Sequence, residues 1–152
     1  MNIEVKEMQG KTALAVTIKA NMGNIAAVMH EGYAKIIGYL TELGQYPTGA
    51  PYAAYMNCGE GFTEFDLEMG FPVAAEVPAR DDLFMSKSFE GKAATVLYKG
   101  AYKDIEPAYT ALMEYMAANS LESTGVYYDY YLNDPDNVPE EKLLTEVVFP
   151  VK

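Results

Sequence analysis

The chain has 152 residues, half of them apolar and 13 of them tyrosine, which predicts one folded domain and argues against disorder. Its 22 acidic against 11 basic residues, a formal charge of −11, exclude a phosphate-backbone binder and oppose docking on anionic membranes. One cysteine, Cys58, and one histidine, His30, exclude an intramolecular disulfide and a zinc site built from Cys and His. The amino terminus lacks a basic segment followed by an apolar run, and no apolar stretch approaches about 18 residues. We therefore expect an acidic cytoplasmic protein with no membrane span, no direct nucleic-acid contact, no metal and no cofactor.

In chain order, residues 12–19 alternate Leu14, Val16 and Ile18 against Ala13, Thr17 and Lys19, as a half-buried strand does. Asn24 stands where it can cap a helix ending near Leu43, with Gly44 as the C′ residue. Ile25, Val28, Met29, Ile36, Leu40 and Leu43 recur at helical spacing and form its apolar stripe. Strands follow near 51–58 and 63–69, closing at Pro72, with Gly59-Glu60-Gly61 as the turn between them. That turn is too short and too acidic for a phosphate loop. A strand over 92–99 leads to a second helix, N-capped by Asp104 with Pro107 in its first turn. Ile105, Ala108, Tyr109, Leu112, Met113 and Met116 mark its buried side. Strands over 127–132 and 143–149 close the chain, joined by an acidic loop at 133–141 without calcium-ligand spacing.

The chain resembles itself. Gly10-Lys11-Thr12-Ala13-Leu14-Ala15-Val16 is echoed by Gly91-Lys92-Ala93-Ala94-Thr95-Val96, 81 positions later. Tyr55-Met56-Asn57 returns as Tyr131-Leu132-Asn133 after 76 positions, and Phe71-Pro72-Val73 as Phe149-Pro150-Val151 after 78. We expect a single domain of two pseudo-repeats, roughly 1–78 and 84–152, each β-α-β-β. The fold class is then α+β: a mostly antiparallel sheet with both helices on one face. The other face would be concave and would hold a ligand cleft, a dimer partner or solvent; the chain is either monomer or homodimer.

The densest chemical signal is Tyr127-Tyr128-Asp129-Tyr130-Tyr131. Strand alternation puts Tyr127, Asp129 and Tyr131 on one face. The run admits two readings: a tyrosine-rich strand whose Asp meets solvent or a Tyr hydroxyl, or an aromatic cage for a lipophilic cation with an anion at its base. Under the repeat, Asp129 aligns with Ala53, Tyr131 with Tyr55 and Tyr127 with Pro51, so only one half carries the acid. Tyr55 and Tyr131 would line the cleft from both sides, with Tyr127 as a further aromatic wall and Phe65 as another lining residue. Glu64, Asp66 and Glu68 alternate with Phe65, Leu67 and Met69, which reads first as a strand with its acids in water. Glu68 and Glu146 both precede a Phe-Pro-Val strand end and are second candidates, for the pocket rim or for backbone contacts. His30 reads as a surface residue, and Cys58 as an inert thiol without an activating partner.

Gly100-Ala101-Tyr102, followed by Ile105 and Ala108-Tyr109, resembles the Gly-x-Tyr…Ala-Tyr pattern of GyrI-like small-molecule-binding domains, the effector-binding domains of multidrug-responsive transcription activators. Asp129-Tyr130-Tyr131-Leu132-Asn133-Asp134-Pro135 resembles that family's Glu-x-Tyr-Leu-x-x-Pro segment. Thr145-Glu146 with Pro150-Val151, and Gly70-Phe71-Pro72-Val73, are similar to its two strand ends. The resemblance implies paired β-α-β-β repeats around a cleft for hydrophobic, often cationic compounds. It places the family's pocket Glu at Asp129, one methylene shorter here. It implies a free-standing member without a helix-turn-helix domain, which binds a drug or effector or acts on a protein partner such as DNA gyrase. An alternative it carries is hydrolysis of cyclopropane-bearing alkylating natural products. Asp129 or Glu146 would then be the base and Tyr55 or Tyr131 the acid. A non-enzymatic binder is the leading expectation.

Overall fold

A computed structural model of the chain describes residues 2–60 and 63–152. The strands are β1 (Ile3–Met8), β2 (Thr12–Ala20), β3 (Tyr52–Met56), β4 (Phe65–Pro72), β5 (Phe84–Lys87), β6 (Gly91–Lys99), β7 (Tyr127–Tyr131) and β8 (Leu144–Pro150). They form one eight-stranded antiparallel sheet in the order β1-β6-β8-β7-β3-β4-β2-β5. Helix α1 (Ile25–Glu42) packs on β2 and β4, and α2 (Glu106–Ala118) on β6 and β8. The fold is thus α+β, with the expected antiparallel sheet and helix pair. Among the described residues no helix is long and apolar enough to cross a membrane.

The pairings of one half recur in the other. Ala13↔Pro72, Leu14↔Phe71 and Val16↔Met69 in β2–β4 are matched by Ala93↔Pro150, Ala94↔Phe149 and Val96↔Val147 in β6–β8. Phe65, Leu67 and Met69 alternate inward beneath α1, joining Val28, Ile36 and Leu40 in one core. Val96, Val147 and Phe149 meet Leu112 and Met116 of α2 in a second. Cross-strand partners share a face, so the register carries both cores to the same side of the sheet.

Two strands differ from the expectation, β1 and β5: β1 is half polar with no buried residue, and β5 is only four residues long. Each pairs with the opposite half: β1 with β6, and β5 with β2. Residues 9–11 link β1 to β2, and residues 88–90 link β5 to β6, yet each linked pair lies six strand positions apart. On a flat sheet that gap would be about 29 Å. A three-residue link spans at most about 15 Å. The sheet therefore curls until the links meet, where Lys11 N–H donates to Ser88 Oγ and Ser88 N–H to the Lys11 carbonyl, both at 2.9 Å.

Helix ends differ from expectation in two places. Gly44 takes φ +70°, and α1 closes with Gln45 N–H to the Leu40 carbonyl and Gly44 N–H to that of Thr41, as the C′ glycine requires. Asn24 does precede α1, but its side chain accepts from Asn21 N–H at 2.8 Å instead of capping the helix. Asp104 is not the N-cap of α2. Its N–H bonds back to the Ala101 carbonyl, ending a 3-10 turn (Tyr102–Asp104), and Ile105 leads into the helix. The expected turn at Gly59-Glu60-Gly61 falls partly outside the described residues, at Gly61; Gly59 N–H donates to the Glu64 carbonyl at 2.9 Å.

Candidate functional site

Helix α1 covers β2 and β4 and α2 covers β6 and β8, which leaves the central β3–β7 pair between them. There Ala53 pairs with Asp129 and Tyr55 with Tyr127. On the other side of β3, Ala53 pairs with Met69 and Tyr55 with Leu67, so all four β3 and β7 side chains point to the helix-bearing face. Asp129 lies there only 3% exposed. Its Oδ2 accepts from Tyr109 Oη of α2 at 2.7 Å and from Tyr55 Oη at 3.2 Å.

Four half-buried tyrosines, Tyr33, Tyr55, Tyr109 and Tyr131, gather around this carboxylate, and Tyr102 joins the group through Tyr131. Tyr131 is met edge-on by Tyr102 at 5.4 Å and by Tyr33 at 6.4 Å, and Tyr33 also meets Phe71 at 5.4 Å. Tyr33 donates to the Tyr52 carbonyl at 2.7 Å, whereas the Tyr131 hydroxyl has the Met29 thioether at 3.6 Å. Burial pushes the Asp129 carboxyl up to about 6, against the two tyrosine hydrogen bonds that favour the anion. Burial, then the nearby Asp129 charge, raise Tyr55 and Tyr109 well above the usual phenol range, so both stay protonated donors. The arrangement is an anion with no formal counter-charge in hydrogen-bond reach among the described residues, held by phenol donors and bordered by aromatic side chains.

The nominated residues divide between two faces. Asp129, Tyr55 and Tyr131 come together; Phe65 packs behind Tyr55 with ring centroids 5.3 Å apart, and Tyr127 lies against Phe149 at 4.8 Å in the core under α2. All five lie on the helix-bearing face, not in the concavity opposite, because β3 and β7 alternate in phase with Leu67, Met69 and Val147. Glu68 and Glu146 point the other way. Glu68 accepts from Tyr52 Oη at 2.6 Å and Ser86 Oγ at 2.8 Å; Glu146 accepts from Lys6 Nζ at 2.8 Å. Neither rims the Asp129 cluster, and both bind side chains where backbone contacts were an option.

That concave face is occupied by the protein itself. Tyr52 is fully buried between Tyr128 and Tyr130, at 6.2 and 6.1 Å between ring centroids. Gly70 makes room for it: a Cβ there would meet the Tyr52 ring at 2.5 Å. Phe89, from the β5–β6 link, lies 5.3 Å from Tyr128 and donates its N–H to Tyr130 Oη.

Tyr33, Tyr102 and Tyr109 were not singled out for the site. Their signal was present: Tyr33 and Tyr109 are separated by 76 positions, the offset that relates Tyr55 to Tyr131, and Tyr102 and Tyr109 belong to the Gly-x-Tyr…Ala-Tyr pattern. His30 is exposed, and burial raises the Cys58 thiol, which disfavours a thiolate nucleophile.

Comparison with known proteins agrees with this architecture. The crystal structure of the EcmrR C-terminal domain superposes with TM-score 0.80 at 19% identity, over 99% of this chain and 97% of that one. In the EcmrR–DNA complex the match covers 57% of the longer EcmrR chain, at 17% identity and TM-score 0.76. SAV2435 bound to tetraphenylphosphonium matches at 15% identity and TM-score 0.66, over 100% of this chain and 94% of that one. A hydrolase encoded by lin2189 from Listeria innocua matches at 14% identity and TM-score 0.70, over 99% and 91%. No curated protein matches in sequence. Over residues 1–152 the chain fits the family described as GyrI-like small molecule binding domain, and it belongs to that family.

Proposed function

We propose that the chain binds a lipophilic, cationic aromatic small molecule between the two helices, with Asp129 as the counter-charge and Tyr33, Tyr55, Tyr102 and Tyr131 as walls. The observation that carries this is the carboxylate itself: buried, with no basic partner in hydrogen-bond reach among the described residues, and bordered by tyrosine side chains. Burial of an unpaired anion is unfavourable, and a bound cation would remove that penalty. Ring faces attract positive charge and offer apolar area to a flat or globular organic ion. SAV2435, a protein of similar fold, is known bound to such a cation. The test is the pH dependence of tetraphenylphosphonium binding, followed by tyrosine fluorescence. Affinity rises from pH 5 to pH 7 as Asp129 ionises near 6, then levels off. Affinity that is flat across this range contradicts the reading.

A second reading has one observation in its favour. A carboxyl ionising near 6 beside protonated tyrosines suits general-base activation of water near neutral pH. On that reading a strained alkylating electrophile is hydrolysed with a rate that follows the Asp129 titration, and Asp129→Asn abolishes turnover.

A further inference from the structure

Among the described residues, one buried side-chain polar atom has no hydrogen-bond partner: Thr145 Oγ1, on a residue that is 0% exposed. Thr145 pairs across the sheet with Tyr131 on one side and Tyr98 on the other, so it faces the helices beside the Asp129 cluster. It is the diagonal neighbour of Asp129, which pairs with Val147. The Tyr98 hydroxyl commits its proton to the Ala101 carbonyl at 2.8 Å.

The matching place in the other half is held by Leu67, which pairs with Tyr55 and Ile18 and is diagonal to Ala53. The central differences between the halves are therefore Ala53 against Asp129 and Leu67 against Thr145. Both are apolar in the first half and polar in the second, and both polar members sit on one patch. Packing does not call for the hydroxyl, since valine has the same shape and no orphaned group. Leaving a hydroxyl unbonded in the interior is unfavourable.

We propose that Thr145 is a specificity residue of this site, its hydroxyl hydrogen-bonding a polar substituent on the bound cation. The proposal rests on the binding reading above and adds a ligand class: cations that carry an amine, hydroxyl or ether group, in preference to purely hydrocarbon-clad ones.

The test compares wild type, Thr145→Val and Thr145→Ser with two probes. Ethidium carries two aryl amines; tetraphenylphosphonium has no hydrogen-bonding group. Thr145→Val should melt about 2–4 °C higher than wild type, because the orphaned hydroxyl is gone. It should bind ethidium roughly five- to tenfold more weakly and tetraphenylphosphonium unchanged. Thr145→Ser should keep the wild-type ethidium affinity. Equal loss for both probes would make Thr145 a packing residue, and no loss for either would remove it from the site; each overturns the proposal. So does a lower melting temperature in Thr145→Val, which would show the hydroxyl to be structurally bonded. Failure of wild type to bind either probe overturns the Asp129 reading and this proposal together, a result distinct from binding that ignores Thr145→Val.

Discussion

Ala53 stands directly across the central β3–β7 pairing from Asp129. The flanking pairs, Tyr52↔Tyr130 and Ala54↔Tyr128, are interchanged by the 76-residue offset that also relates Ala53 to Asp129. An acid at both places would set two carboxylates face to face. The asymmetry thus has a physical basis: one half carries the charge, and the other supplies a methyl group that fits beside it.

Ala53→Asp should accordingly be severely destabilising. Facing residues of an antiparallel pair have Cβ atoms about 4.5–5.5 Å apart, and the second acid would be as buried as the first. A loss of about 3–5 kcal/mol is expected at pH 8 by chemical denaturation, the scale of an uncompensated buried charge. At pH 5 the loss should shrink, since protonation of one carboxyl relieves the repulsion. Ala53→Asn, similar in size but neutral, separates the charge effect from overpacking.

The site should cost the free protein stability. The Asp129 carboxyl is raised from 3.8 to about 6, so the folded state holds its proton over a range where the unfolded chain has released it. Stability from this group therefore falls as pH rises from about 4 to 6, and the deficit persists above that. Asp129→Asn cannot ionise and should be more stable than wild type at pH 8, by up to about 3 kcal/mol, with the difference fading near pH 4. Denaturant melts of both proteins across pH 4–8 check the sign. A wild type that gains stability through this window relative to the variant would show the anion to be favourably bonded as it stands.

Much of the fold was legible because its signals are local and repeated. Alternation at Leu14, Val16 and Ile18, and helical spacing from Ile25 to Leu43, locate elements that tertiary packing then retains. The repeat and strand alternation group Asp129, Tyr55 and Tyr131, and the structure brings these three side chains together. What could not be read was the face. Alternation assigns Asp129 and Tyr131 to one side of β7, but which side meets the helices depends on register with β3 and β8, a non-local property. The same gap left open whether Glu68 and Glu146 rim the site or face away from it, and it hid β1 and β5, whose partners lie in the opposite half of the chain.

The division between faces has a functional consequence. Glu68→Gln and Glu146→Gln change groups bonded to Tyr52, Ser86 and Lys6 on the far side of the sheet. Tetraphenylphosphonium affinity in both should remain within about twofold of wild type, because no contact is lost and intervening protein and solvent weaken the change in charge. Equilibrium titrations at pH 7.5 give the answer. A tenfold loss in either would return these acids to the ligand site.

The central claim is that Asp129 neutralises a bound lipophilic cation, and calorimetric titration of tetraphenylphosphonium into wild type and Asp129→Asn at pH 7.5 tests it most directly. Wild type should bind with an affinity that the variant loses by about 1–3 kcal/mol, the scale of a lost contact to a charged group, while remaining folded. Equal affinity in the two proteins, or no binding by well-folded wild type, would contradict it.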